Sequence, residues 1–242
     1  MENILERKTK PFTREQIIAF GRATGDYCMI HRNAETARAY KFLDIPVMGA
    51  HILMDANITL SNSEQFSGKK LTQAEIKFKN PLYVDRTLNW ILTHKTENGL
   101  EKLTLEGNSE DGKVAVVSMT FQDSYPEFND KEINWAEQFH LFRYTLDAPK
   151  LSKLNESLDN KGLLPVTYSA ALVPPATLDY LESEEKEPMG INLGMEFNFF
   201  RDIAPGEFTV KLYKTKNRRK IEAVCGNNHY NASHGIIKIL TV

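Results

Sequence analysis

The segment Pro46–Asn62 leaves the fewest folds open. Val47, Met48, Ala50, Ile52, Leu53, Met54, Ala56, Ile58 and Leu60 fall on every side of a helix of that length. A helix without a polar face is one that the rest of the chain must enclose. The segments that follow have the period to do so. Ala74, Ile76 and Phe78 alternate with Glu75, Lys77 and Lys79, and strand patterning returns in Leu88–Thr93, Leu100–Leu105 and Val114–Phe121. Asn98-Gly99 and Asp111-Gly112 are hairpin turns between them. Four antiparallel strands with one apolar face closing on one apolar helix make an α+β unit.

Two shorter helices should precede the buried one. Thr13 with Gln16 three residues on is a capping box, and Gly25 ends that helix. Asn33 caps the next, through Glu35, Ala37 and Tyr40.

The same order of elements returns downstream. Tyr168–Leu181 is apolar and helical in pattern, interrupted by Pro174-Pro175. Strands are expected at Gly194–Phe200, Glu207–Tyr213, Lys220–Val224 and Gly235–Val242, while Asp123–Gly162 reads as connector and the start of a second unit. Phe78–Leu88 matches Phe199–Thr209 at a shift of 121, and that shift also lays Gly49–Asn62 on Ala170–Ser183. Agreement of a strand and a helix at one shift argues for an internal repeat. The chain is read as two copies of one fold, residues 1–125 and 126–242, each a helix wrapped by an antiparallel sheet.

Composition narrows the function class. With 41% hydrophobic and 26% charged residues the chain is neither disordered nor membrane-embedded, and a net charge of -2 is unlike a nucleic-acid surface. Cys28 and Cys225 are the only cysteines, too few for a disulfide framework or a zinc site. No apolar run is long enough to span a bilayer, and residues 1–10 lack the apolar core of a secretory signal, so a soluble cytoplasmic protein is expected.

The chemistry is placed in Thr24-Gly25-Asp26-Tyr27-Cys28-Met29-Ile30-His31, a carboxylate and an imidazole five residues apart behind a glycine turn. Val47-Met48-Gly49-Ala50-His51 then opens the buried helix and offers N–H groups where anions bind. Together these form an acid–base site for a substrate with a carbonyl. Against this stand plainer roles. An Asp after Gly is often a turn former, and His51 inside an apolar helix suits a hydrogen-bonded core position as well as a substrate contact. Cys28 is assigned to packing, and the cationic run Lys214–Lys220 to a solvated hairpin tip rather than a phosphate site.

Thr24-Gly25-Asp26-x-x-x-Ile30-His31 followed by Ala37 resembles the hydratase signature of the MaoC-like (R)-specific enoyl-CoA hydratases and dehydratases. Val47–His51 resembles the start of that family's central helix, and Phe78-x-x-Pro81-Leu82 the strand and turn after it. The resemblance covers the first half, and the second is similar to the degenerate partner of double hot-dog members. It implies a double hot-dog fold and reversible hydration of a trans-2-enoyl thioester, on coenzyme A or acyl carrier protein, to a (3R)-hydroxyacyl thioester. It further implies fatty acid metabolism, Asp26 and His31 as the acid–base pair, and Gly49, Ala50 and His51 around the thioester oxygen. No metal or bound cofactor is implied. Pairing of two double units into a homodimer is left open.

Four positions depart from the family pattern. Cys28 and Met29 stand where Asn and Pro are usual, and Gly49-Ala50 where His-Gly is usual. They keep the acid–base pair but leave two rivals, an acyl-thioester hydrolase and a non-catalytic acyl-binding subunit. Applied to the second half, the shift of 121 lays Asp26 and His31 on Asp147 and Ser152. That half should therefore lack the imidazole and serve as the wall of an acyl tunnel, widened where Pro174-Pro175 breaks its helix.

Overall fold

The computed structural model describes residues 3–61, 66, 68–133, 137–158, 164–181, 190–215, 217, 220–227 and 229–241. The strands are β1 (Asn3–Lys8), β2 (Lys70–Phe78), β3 (Asn89–Glu97), β4 (Leu100–Ser109), β5 (Gly112–Gln122), β6 (Gln138–Leu146), β7 (Gly190–Phe199), β8 (Gly206–Lys214), β9 (Lys220–Gly226) and β10 (Asn231–Thr241). The helices are α1 (Arg14–Thr24), α2 (Ala34–Ala39), α3 (Gly49–Ser61), α4 (Ala148–Ser157), α5 (Tyr168–Ala171) and α6 (Val173–Tyr180).

All ten strands join in one sheet, ordered β1-β3-β4-β5-β2-β7-β10-β9-β8-β6, with every neighbouring pair antiparallel. Read outward from the β2–β7 junction, the two halves have the same order. At the junction Glu75 lies opposite Glu196, the pair that the shift of 121 superimposes. A pseudo-two-fold axis therefore passes between these two carboxylates. Lys77 sits 2.9 Å from Glu75 and Lys238 3.8 Å, which offsets the like charges facing each other. On the other face of the same strands Ala74, Ile76, Met195 and Phe197 are buried.

The helices lie where local chemistry starts and stops them. Thr13 and Gln16 close a reciprocal capping box at the start of α1, and Gly25 ends it in the left-handed conformation at φ 79°. Asn33 caps α2 by accepting from Thr36 N. The central helix begins at Gly49 rather than Pro46, because Pro46 bridges Tyr83 and Val47 N donates to Leu82 O in extended conformation. Along α3, Ile52, Leu53, Met54, Ala56, Asn57 and Leu60 are all buried. Its counterpart in the second half is broken at Leu172 into α5 and α6, with Val173-Pro174 opening α6 where a missing N–H costs nothing.

Three elements lie outside the sequence expectation. Edge strand β1 comes from a stretch without alternation, and β6 and α4 come from the polar segment read as a connector. They correct the placement of Asp147 as the counterpart of Asp26. Asp147 caps α4 by accepting from Lys150 N, as Thr13 caps α1, so the two caps correspond. Residues 25–48 separate α1 from α3, whereas only 158–167 separate α4 from α5. The segment that holds Asp26 and His31 in the first half is shortened in the second, and Ser152 lies within α4 rather than opposite His31.

Candidate active site

Asp26 follows the left-handed Gly25 directly, and an L side chain at residue 25 would be strained. A Cβ there would also lie 2.8 Å from the ring of Tyr144. The Asp26 side chain is buried, and its Oδ1 accepts from Cys28 N at 3.1 Å. Arg32 reaches back over the Tyr27 ring and donates to Asp26 O at 3.1 Å, closing the loop on itself. A short 3-10 turn, Met29–His31, then turns the chain so that His31 Nδ1 lies 2.7 Å from Pro46 O. A carbonyl can only accept, so Nδ1 carries the proton in this bond and Nε2 is the ring nitrogen it leaves open.

Both residues line one cavity of about 230 Å³. Gly49 and Ala50, at the amino end of α3, line it too. Their N–H groups belong to the first turn of a helix and have no intrahelical acceptor. Gly49 is fixed by contact as well, since a Cβ would come 2.3 Å from Phe78 Cζ.

His51 does not join this group. It is not among the residues lining the cavity, and its ring stacks on Phe20 at 4.3 Å between centroids and meets Phe12 edge-on at 5.1 Å. Its Nε2 lies 3.3 Å from Ser157 O, and Nδ1 is buried without a partner. Burial pushes its pKa down to about 4, although the Ser157 carbonyl opposes this, so the ring is neutral and apolar in behaviour. Of the two roles the sequence allowed, the structure gives it packing; its place one residue past Ala50 turns it to the core side of α3.

The remaining wall was not foreseen residue by residue. Phe42 and Pro81 close the side next to the loop, and Lys79 and Asn80 extend the lining from β2. From the second half come Pro174, Thr177 and Leu178 of α6, Asn192 and Leu193 of β7, and Ile237 and Ile239 of β10. The helix is broken before α6, as the proline pair foretold, and Pro174 lines this wall. Ile237 and Ile239 fall in a strand the sequence led one to expect, but no local signal showed which strand positions border a void. The cationic run sits at the β8–β9 hairpin, where Thr215 Oγ1 bonds Asn217 O and Lys220 O; Lys216, Arg218 and Arg219 lie outside the described residues. Lys214 and Lys220 do not border the cavity.

A second cavity of about 200 Å³ lies against the other side of α3, bordered by Asp55, Arg7 and Gln16. Asp55 Oδ2 accepts from Trp90 Nε1 at 3.0 Å. Burial raises the Asp55 carboxyl to about 6, although Trp90 and Arg7 pull the other way. No helix among the described residues is long and apolar enough to cross a membrane.

No family model matches the sequence, and no curated protein matches it. Solved structures do. A MaoC-like dehydratase superposes with a TM-score of 0.72 at 9% identity, over 100% of this chain and 98% of its own. A MaoC-like dehydratase from Phytophthora capsici gives 0.68 at 10%, over 100% and 96%. A conserved Mycobacterium tuberculosis protein described as having a double hot-dog fold gives 0.67 at 8%, over 98% and 96%. At these identities the likeness is one of fold, and it spans the chain from end to end. The chain is a double hot-dog protein, built on the same plan as the MaoC-like dehydratases.

Proposed function

We propose that the chain is a hydro-lyase, adding water to a trans-2-enoyl thioester to give a (3R)-hydroxyacyl thioester and running the reverse dehydration. One observation carries the reading: Asp26, His31 and the amino end of α3 line the same cavity. Adding water across the double bond requires a base at C3, a proton for C2, and charge stabilisation on the thioester oxygen.

Each group has a role in that sequence. Asp26 and His31 hold the water, and Nε2 of His31 takes its proton as the oxygen attacks C3. The electron pair moves onto the thioester oxygen, where the N–H groups of Gly49 and Ala50 meet it. Collapse of that enolate draws the proton to C2 on the same face, and Asp26 holds the imidazolium in the interval. The acyl chain extends between α3 and the second-half wall of Pro174, Thr177, Leu178 and Ile237. The carrier is coenzyme A or an acyl carrier protein.

The test is a set of enoyl thioesters of rising chain length on both carriers, followed by loss of the conjugated double bond and by release of free thiol. Hydration to the 3R alcohol without thiol release is expected. Thiol release in its place would make the protein a hydrolase. Binding without turnover would make it a non-catalytic acyl-binding subunit.

A further inference from the structure

We propose that Tyr144 and Tyr168, both from the second half of the chain, are positioning residues for Asp26. The inference rests on the hydro-lyase reading and adds to it that the half without an acid–base pair holds the pair of the other half in register.

The observation begins at the carboxyl end of α1. The last carbonyls of a helix have no intrahelical donor, and a helix end that is buried needs other groups to supply them. Here the donors come from across the molecule. Tyr144 Oη, on edge strand β6, donates to Arg22 O at 2.6 Å. Tyr168 Oη, at the start of α5, donates to Ala23 O at 2.7 Å and is fully buried. Between these bonds and the Asp26 side chain lie only Thr24 and Gly25. Thr24 is itself held by a bond from its Oγ1 to Phe20 O at 3.0 Å. Asp26 thus leaves a helix whose last turn is pinned on one side by the second half, and its own carbonyl is held by Arg32 on the other.

The two rings are built in rather than merely near. Tyr168 packs edge-on against Phe208 at 5.5 Å, and Tyr144 stacks with Phe142 and lies under the Lys150 ammonium. Tyr144 also fills the space beside Gly25, so the residue that gives the turn its shape is in contact with the residue that pins it. Burial raises both phenols above their ordinary range, so both hydroxyls remain donors throughout the working pH range. An acid–base pair has to hold its reacting atoms to within a fraction of an ångström, and a displacement of about 1 Å costs on the order of 100-fold in rate. Two hydroxyls at the root of the loop act on that displacement without touching the cavity, since neither tyrosine lines it.

The experiment compares Tyr144→Phe, Tyr168→Phe and the double variant with Tyr213→Phe, which removes a hydroxyl from a buried ring of the same half that packs with Ile133 and Val224. Two readouts are taken: kcat and KM on an enoyl thioester, and the midpoint of the Asp26 carboxyl carbon signal in an NMR pH titration, assigned with Asp26→Asn. In the double variant kcat falls by about 10- to 100-fold with KM within about twofold. The Asp26 midpoint moves, while Tyr213→Phe leaves both readouts alone. If the wild type hydrates no enoyl thioester, the hydro-lyase reading fails; the midpoint then decides the positioning role by itself. A folded double variant with wild-type kcat and an unmoved midpoint overturns the proposal, as does a loss of rate carried by KM with the midpoint unmoved. Should the double variant or Tyr168→Phe not fold, the half-buried Tyr144→Phe decides by the same two readouts.

Discussion

His31 Nδ1 lies 2.7 Å from the carbonyl oxygen of Pro46, the residue that bridges Tyr83 just before the central helix begins. One bond therefore ties the imidazole to the chain segment that leads into the amino end of α3. It also fixes the tautomer, because the carbonyl can receive only an N–H. His31→Gln keeps a side chain of comparable reach but has no ring nitrogen to act as base. Its hydration rate is expected to fall by about 100- to 10,000-fold with little change in melting temperature, read by steady-state kinetics and thermal unfolding.

Gly49 tests the amino end of α3 separately. A methyl group there meets the Phe78 ring at 2.3 Å from Cζ. Gly49→Ala should cost about 1–3 kcal/mol of stability in denaturant unfolding, and should depress kcat by displacing the helix end. Pairing it with Phe78→Leu should recover part of both losses, because the two residues are in contact and their effects do not add.

Two buried groups on α3 give the fold opposing pH dependences. His51 is held at about 4 inside the protein, below its ordinary 6.5. As pH falls from 6.5 toward 4 the unfolded chain gains a proton that the folded chain refuses, and stability drops by up to about 1.4 kcal/mol per pH unit. Asp55 is raised to about 6 from 3.8. Stability from its protonated form is complete below 3.8 and is lost as pH rises through 6. Between pH 4 and 6 the two slopes offset each other. Urea unfolding of His51→Phe over that range should show stability falling as pH rises, and Asp55→Asn should show it falling as pH drops. Hydration by His51→Phe should persist, since that ring is outside the cavity.

Under the proposed function, acyl length is tested at the far wall. Leu178 lines the cavity from α6, and Leu178→Trp places a larger ring in the same space. Kinetics on a chain-length series should show kcat/KM for long enoyl thioesters falling by about 10- to 200-fold, while the shortest substrate is nearly unaffected.

Much of this was legible in the residues. Helix α3 announced itself because it is apolar on every side, and β2–β5 because Ala74, Ile76 and Phe78 alternate with charges. The repeat was legible through Phe78 and Phe199, whose shift of 121 is the same one that pairs Glu75 with Glu196 at the junction. What was not legible had no period to carry it. Strand β1 forms by adding to the edge of β3, and β6 by adding to β8, so partners rather than patterning define them. The loop holding Asp26 and His31 was found by motif, and the roles of Tyr144 and Tyr168 were not, because bonds to carbonyls more than a hundred residues away leave no local trace. His51 shows the converse limit: one step along a helix turns a side chain by about 100°, and only the packing of Phe12 and Phe20 shows on which side it lies.

The proposed hydration requires Asp26 and His31 to activate one water together beside the amino end of α3. Hydration of a crotonyl-type thioester by the wild type, Asp26→Asn and His31→Ala, each checked for folding by circular dichroism, tests it most directly. Turnover is expected in the wild type and lost in both variants, with both still folded. Undiminished hydration by either folded variant would contradict it.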